Sequence, residues 1–249
     1  MASAYDTNVA QRLIDKLASV FPLSEDEKAA LQTLPMQIQE IRAEQDIVRE
    51  GDRPTRSFLL MEGMACTHKS TYEGRRQILA FHIAGDIPDL QSLHLPVLDN
   101  SVGTITPCKV GFIQHDALNE LCFRHPRIAA GLWRETLIDA SIFREWVLNV
   151  GRRDARSRMA HVMCEMLVRQ QAVGLARDQS CDLPVTQAVM ADAIGLSTVH
   201  VNRVLQELRG AGLIRWKGTT LEVLDWPGLK EQAGFDPSFL HLDWKQAAA

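Results

Sequence analysis

The hydrophobic pattern of the chain begins with a helical segment. Apolar residues recur at helical spacing across residues 8–34. Ser24 precedes Glu27 by three residues, the spacing at which a serine and a glutamate cap the first turn of a helix. Pro35 follows and ends the helical pattern. We therefore predict helices at the start of the chain.

Short apolar segments replace the helical pattern from residue 36 to about residue 116. The segments that read as strands are residues 45–49, 57–61, 64–68, 77–81 and 109–113. Glycine-containing turns separate them, at roughly ten-residue spacing. This pattern predicts a small antiparallel sandwich or barrel.

A long helix is predicted from Pro126, where apolar positions alternate at spacings of four and three over about three heptads. The resulting seam consists of Ala129, Trp133, Thr136, Ala140, Phe143, Val147 and Val150. Such a seam favours self-association of two chains. The alternative is an ordinary helix packed on its own domain, because the opposite face carries Leu132, Leu137 and Trp146.

Another amphipathic helix is predicted over residues 154–171, followed by a loop over residues 174–184. Residues 186–209 then have the spacing of a helix-turn-helix. Gly195 supplies the left-handed residue of the turn, and Ser197 caps the second helix. The alternative is a two-helix corner that binds no DNA, which the mutual spacing of Ala191, Gly195 and Val201 disfavours.

The face of the second helix opposite its apolar stripe carries short donors and acceptors and one arginine, the groups that read base edges and phosphates. The candidate DNA-binding residues of this motif are Thr186, Gln187, Ser197, Thr198, His200, Asn202, Arg203 and Gln206. Two strand-like pieces around Lys217 and Gly218 follow and predict a β-hairpin wing. Its candidate phosphate contacts are Arg215, Lys217 and Thr219. The tail after Pro227 is expected to be irregular.

Charge is distributed unevenly along the 249 residues, whose net charge is −4. Residues 151–230 hold eleven Lys/Arg and eight Asp/Glu, so this part is basic and the remainder is acidic. Five widely spaced cysteines, without a C-x-x-C pair, favour reduced thiols and a cytoplasmic location. No apolar stretch is long enough to span a membrane, and the N-terminus lacks a signal-peptide pattern. A basic C-terminal part is typical of a DNA-binding module joined to another domain.

These features together resemble the Crp/Fnr family of bacterial transcription regulators, from about residue 30 to residue 226. The resemblance rests on the turns at residues 50–52, 62–63 and 85–86, the long helix, the winged helix-turn-helix and the segment Leu196-Ser-Thr-Val-His-Val-Asn-Arg203. It implies an α+β fold: an antiparallel β-roll of the cyclic-nucleotide-binding type, a long dimerisation helix and a winged helix-turn-helix. The implied domains are residues 1–122 for the sensor with its N-terminal helices, 123–152 for the dimerisation helix and 153–249 for the DNA-binding domain with its tail.

The resemblance further implies a homodimer on a pseudo-palindromic site in double-stranded DNA, with RNA polymerase as an expected partner and no role for a membrane. Arg203 matches a base-contacting arginine of the family, whereas Thr198-Val199 replaces the family's usual Arg-Glu pair. The main alternative is a ligand-binding module that acts on protein partners and has lost DNA binding. No catalytic motif is recognisable, so we expect no enzyme.

The sensor part departs from cyclic-AMP-binding members. Their Gly-Glu-Leu segment corresponds to Pro88-Asp89-Leu90, and the position of their phosphate-binding arginine falls in Asp99-Asn100-Ser101. We therefore expect no cyclic AMP site and no cofactor, and the effector stays open. Cys66, His68 and His82 leave haem as an alternative.

Two further groups of residues have a chemical alternative to simple packing. His161 and Cys164 lie one helical turn apart, as two metal ligands would, but we favour helix packing and predict no metal site. Cys181 is either an oxidation sensor or an unreactive thiol, and we favour the second.

Overall fold

The structure is a computed structural model that describes residues 10–242. The outermost residues of the predicted N-terminal helix, of the predicted sensor and of the predicted DNA-binding domain lie outside this range. The described chain forms two compact units. One consists of residues 10–69 and 81–139, and the other of residues 70–80 and 140–241.

The first unit begins with two helices, α1 (Gln11–Val20) and α2 (Glu25–Gln32). The backbone N–H of Glu27 donates to Ser24 Oγ over 3.2 Å, and the backbone N–H of Ser24 donates to Glu27 Oε2 over 2.7 Å. The capping box is therefore present, and it satisfies amide groups that the first helical turn leaves without partners. Helix α1 buries Leu13, Leu17 and further apolar residues in the core of this unit.

Seven strands follow and pair in two antiparallel sheets. They are β1 (Gln37–Ile41), β2 (Asp46–Val48), β3 (Arg56–Glu62), β4 (Ala65–Ser70), β5 (Arg76–His82), β6 (Ser101–Thr104) and β7 (Cys108–Gln114). The strand orders are β1-β7-β3 and β2-β6-β4-β5. The antiparallel strands predicted from the short apolar segments and the β-roll implied by the family resemblance are both confirmed. Strands β1 and β6 are additions to the predicted set.

The interior of the roll is apolar. Phe58, Leu60, Val102 and Val110 are fully buried between the strands, with six further core residues around them. A tight turn joins β3 to β4 at Gly63, whose φ of 91° lies in the left-handed region. A side chain there would also meet Pro107 O at 2.5 Å, so both backbone conformation and space require glycine.

Two helices close this part of the chain, α3 (His115–Arg124) and the long α4 (Pro126–Arg152). Ile128 and Leu132 of α4 lie in the same apolar core as α1. Further along α4, Trp146 is buried and its Nε1 donates to Glu165 Oε2 over 2.8 Å. The buried face of α4 is thus distinct from the predicted seam.

The second unit contains the remaining helices and a three-stranded antiparallel sheet of order β8-β10-β9. The helices are α5 (Ala155–Ala172), α6 (Gln187–Ile194), α7 (Thr198–Gly210) and α8 (Trp226–Ala233). The strands are β8 (Ser180–Asp182), β9 (Ile214–Lys217) and β10 (Thr220–Val223).

Two expectations for this unit were wrong. The loop predicted over residues 174–184 contains β8, because its three residues pair with β10. The tail after Pro227 was expected to be irregular, but its described part begins with α8, whose N-cap is Asp225 and whose C-cap is Gly234 at a φ of 54°. A short 3-10 helix, Pro237–Leu240, follows within residues 10–242. Both caps of α8 are sequence signals that predict this helix.

Candidate nucleic-acid interface

The predicted helix-turn-helix is formed by α6 and α7. Thr186 is the N-cap of α6, and its hydroxyl accepts from the backbone N–H of Val189. The C-cap of α6 is Gly195, whose φ is 67°. Ser197 caps α7 by accepting from the backbone N–H of His200. Only glycine takes this left-handed conformation without strain, so Gly195 fixes the angle between the helices.

One face of α7 is buried and the other is exposed. The buried residues are Val201, Val204, Leu205 and Leu208, as predicted. On the other face Ser197, Thr198, Asn202, Arg203 and Gln206 are exposed and His200 is half-buried. Thr186 and Gln187 of α6 are exposed as well. The second unit therefore presents every candidate residue of the motif at its surface.

The exposed side chains of the motif contact one another. Arg203 Nη2 donates to His200 Nε2 over 2.8 Å, and Arg203 Nε lies 3.8 Å from Glu207 Oε1. Asn202 Nδ2 donates to Gln187 Oε1 over 3.4 Å, which joins α7 to α6 across the turn. The guanidinium of Arg203 is thus held between two side chains one turn away on either side, with much of its surface open to a ligand.

The wing is the β9–β10 hairpin, and its candidate residues Arg215, Lys217 and Thr219 are exposed. Arg215 Nη1 donates to Glu222 Oε2 over 2.6 Å from the paired position on β10, so its charge is partly balanced. Lys217 lies at the end of β9, beside the turn. A lysine there can reach a phosphate without taking part in base recognition.

The seam residues of α4 all lie outside the buried core of the described chain. Trp133 is 69% exposed and Val147 is 71% exposed, large fractions for apolar side chains. Leu132 and Trp146 are buried, whereas Leu137 is 56% exposed. Leu137 follows Trp133 by four residues, so the two lie about 40° apart on one helix face. Its assignment to the opposite face was wrong.

The segment that corresponds to a cyclic-nucleotide site contributes hydrogen bonds within the roll. Asp89 is fully buried, and its Oδ1 accepts from the backbone N–H of Phe58 over 3.0 Å. Burial raises the pKa of Asp89 to about 7. Asn100 Oδ1 accepts from Gln91, and Ser101 Oγ accepts from the backbone N–H of Glu50. Each of these polar side chains thus has a partner within the protein.

The histidines considered for haem are hydrogen-bonded to other side chains. His82 Nε2 lies 2.7 Å from Thr67 Oγ1, and His68 Nε2 lies 3.1 Å from Asp46 Oδ1. Within residues 10–242, no three His, Cys, Asp or Glu side chains are grouped as metal ligands would be.

His161 packs against two aromatic rings. Its ring centroid lies 5.2 Å from that of Phe235 and 5.7 Å from that of Phe239. Burial lowers the pKa of His161 to about 3, and the charge of Arg153 contributes in the same direction. Burial also raises the pKa of the Cys164 thiol to about 12. These surroundings are those of helix packing.

Cys181 lies in β8 rather than in a loop, and it is buried. Burial raises the pKa of its thiol to about 12, and the charge of Asp182 acts in the same direction. A thiol that keeps its proton is a poor nucleophile, which fits an unreactive cysteine.

Among residues 10–242, each helix is too short or too polar to cross a lipid bilayer.

Models of two protein families match the chain, one over the β-roll and the other over the helix-turn-helix and its surroundings. The cyclic nucleotide-binding domain matches residues 38–125, and the Crp-like helix-turn-helix domain matches residues 157–232. Together they cover about two thirds of the sequence. The chain belongs to the Crp/Fnr family of DNA-binding transcription regulators.

Known proteins that are similar to this Crp/Fnr regulator support the family assignment. The "Transcriptional activator protein FnrL" of Cereibacter sphaeroides is 27% identical over 78% of this chain and 79% of its own. The "Fumarate and nitrate reduction regulatory protein" of Vibrio cholerae is 22% identical over 89% and 88%. The structure of FixK2 from Bradyrhizobium japonicum has a TM-score of 0.74 and 24% identity, covering 82% of this chain and all of that one. Both named relatives are regulators, and none of these comparisons favours the alternative of a module without DNA binding.

One exposed residue of this Crp/Fnr regulator was not among the predicted DNA-binding residues. Val199, the second residue of α7, is 80% exposed. It precedes Arg203 by four residues and therefore lies on the same helix face. That spacing was a signal in the sequence, but the apolar character of valine had excluded it from a set chosen for polar groups.

Proposed function

We propose that this regulator binds a pseudo-palindromic promoter site as a homodimer and activates transcription there. The observation that carries the proposal is the exposed polar face of α7, with Arg203 at its centre. An arginine in this place can donate to O6 and N7 of one guanine together. The name of the Cereibacter relative supports activation rather than repression.

The seam on α4 supports the homodimer. Trp133, Phe143 and Val147 are apolar and exposed along a single helix, and burial against a second copy would remove them from water. Ala129, Trp133 and Thr136 also line an apolar groove of about 780 Å³ beside residues 90–95. A two-fold dimer places two α7 helices in successive major grooves, about 34 Å apart.

We propose that three parts of the chain have separate roles, as in the Crp/Fnr family. Residues 1–122 form the sensor part, residues 123–152 the dimerisation helix and residues 153–249 the DNA-binding part. RNA polymerase is the proposed partner at the promoter, and the cytoplasm, where a bacterial chromosome lies, is the proposed location. We propose no catalytic activity, because the sequence contains no recognisable catalytic motif.

The test is a comparison of two variants on a panel of base-substituted duplexes. Arg203→Ala should weaken binding to the preferred site by roughly tenfold to a hundredfold and relax base preference at one position per half-site. Lys217→Ala should weaken binding evenly across all sequences and lower the salt slope of log Kd by about one. Gel shifts or fluorescence anisotropy at several salt concentrations measure both effects. Equal behaviour of the two variants would refute the assignment of Arg203.

A further inference from the structure

Val199 is exposed at a place where the fold gains nothing from an apolar residue. The apolar stripe that packs α7 onto the second unit is formed by other residues, among them Val201 and Val204, and these are buried. Val199 is 80% exposed, so its packing on the described chain accounts for little of its surface. A single exposed valine is common on protein surfaces, so its exposure alone indicates no function. Any functional role must be argued from the position of Val199.

The position of Val199 is on the proposed DNA-reading face. With about 100° of rotation per residue, Val199, Arg203 and Gln206 lie within about 60° of one another and form one row along α7. Val199 lies in the first turn of the helix, which begins at Thr198. The first turns of a recognition helix reach base edges in the major groove.

The chemistry of valine limits what it can contact there. Its side chain neither donates nor accepts a hydrogen bond, and pressing it against a polar base edge would strip that edge of water without replacement. The C5-methyl group of thymine is the apolar group that base pairs display in the major groove. We propose that Val199 packs against a thymine methyl and selects one thymine in each half-site. This inference rests on the proposed DNA-binding function of α7.

The experiment uses DNA selected by the protein itself. Full-length protein enriches duplexes from a random library, and in the best duplex each thymine is replaced singly by deoxyuridine, which removes only the methyl group. Dissociation constants are measured by fluorescence anisotropy for the wild type, Val199→Ala, Val199→Thr and Arg203→Ala. Circular dichroism confirms that each variant folds.

At one thymine per half-site, deoxyuridine should weaken wild-type binding about fourfold, which is the worth of one buried methyl group, about 0.8 kcal/mol. The same replacement should leave the affinity of Val199→Ala nearly unchanged, because the side chain that meets the methyl is gone. Val199→Thr keeps one of the two methyl groups and should retain part of the effect.

Two results separate the inference from the function on which it rests. If Arg203→Ala loses base preference but no thymine is coupled to Val199, or the selected half-site holds no thymine, the inference is overturned and the proposed function stands. If Arg203→Ala also keeps the full base preference of the wild type, α7 does not read DNA as proposed and both fail.

Discussion

Asp89 makes the free energy of unfolding depend on pH. The carboxyl group is fully buried, and one oxygen accepts from the backbone N–H of Phe58. Among residues 10–242 the other oxygen, Oδ2, has no hydrogen-bond partner. Burial raises the pKa from 3.8 to about 7, against the smaller opposing effects of hydrogen bonds and of Arg56. Folding therefore favours the protonated form of Asp89.

The sign follows from the proton balance. Between pH 3.8 and pH 7 the unfolded chain has lost a proton that the folded chain keeps, so stability falls as the pH rises through this interval. Below it the contribution is fully present, and above it the loss is complete. One pKa unit is worth about 1.4 kcal/mol, so the whole loss amounts to about 4 kcal/mol, of which about 3 kcal/mol falls above pH 5.

The variant Asp89→Asn keeps an oxygen that can accept from Phe58 N but cannot ionise. Its free energy of unfolding relative to the wild type should therefore rise by about 3 kcal/mol between about pH 5 and about pH 8. Urea titrations followed by circular dichroism at several pH values measure this difference. Other titrating groups are common to both proteins, so their effects cancel in the comparison.

Asp99→Asn is the matched control, because Asp99 is an exposed aspartate ten residues away. It makes the same chemical change at an exposed position, so it separates the effect of burial from the effect of the substitution itself. A constant difference for Asp89→Asn would refute the reasoning, since it would mean that Asp89 is charged in the folded protein at pH 5.

Three further outcomes are expected. Phe143→Glu would place two unpaired carboxylates in the proposed dimer seam at a cost of several kcal/mol. Light scattering at micromolar concentration should therefore find monomers of this variant. The control Phe123→Glu alters an exposed aromatic residue outside the seam and should remain dimeric. A Phe143→Glu protein that stays dimeric would place the interface elsewhere. Calorimetry should find no saturable micromolar binding of cyclic AMP or cyclic GMP, because the loss of one charge-assisted hydrogen bond weakens binding by about one to two orders of magnitude; a saturable signal accompanied by tighter DNA binding would contradict this. Iodoacetamide at about pH 8 should leave Cys164 and Cys181 of the folded protein unmodified, because burial raises the pKa of each thiol to about 12. Peptide mass spectrometry should find that the half-buried Cys122 is modified first.

The sequence by itself determined the features that depend on neighbours in the chain. Ser24 with Glu27, Gly195 and Ser197 act on backbone groups within a few residues, so their roles can be predicted from spacing alone. The exposed polar face of α7 follows from the same periodicity that fixes its buried stripe. Family resemblance then supplied the order of the roll, the long helix and the winged motif.

The tertiary structure decided what depends on distant partners. Three residues become β8 only because β10 lies beside them, and no local pattern distinguishes so short a strand from a loop. The sequence aligns Asp89 with the family's Gly-Glu-Leu segment, but only the structure shows that Asp89 is buried and accepts a hydrogen bond from β3. Leu137 and Val199 have apolar side chains, yet both are exposed in the described chain. Burial is a property of the packed chain, so hydrophobicity alone could not locate these two surfaces.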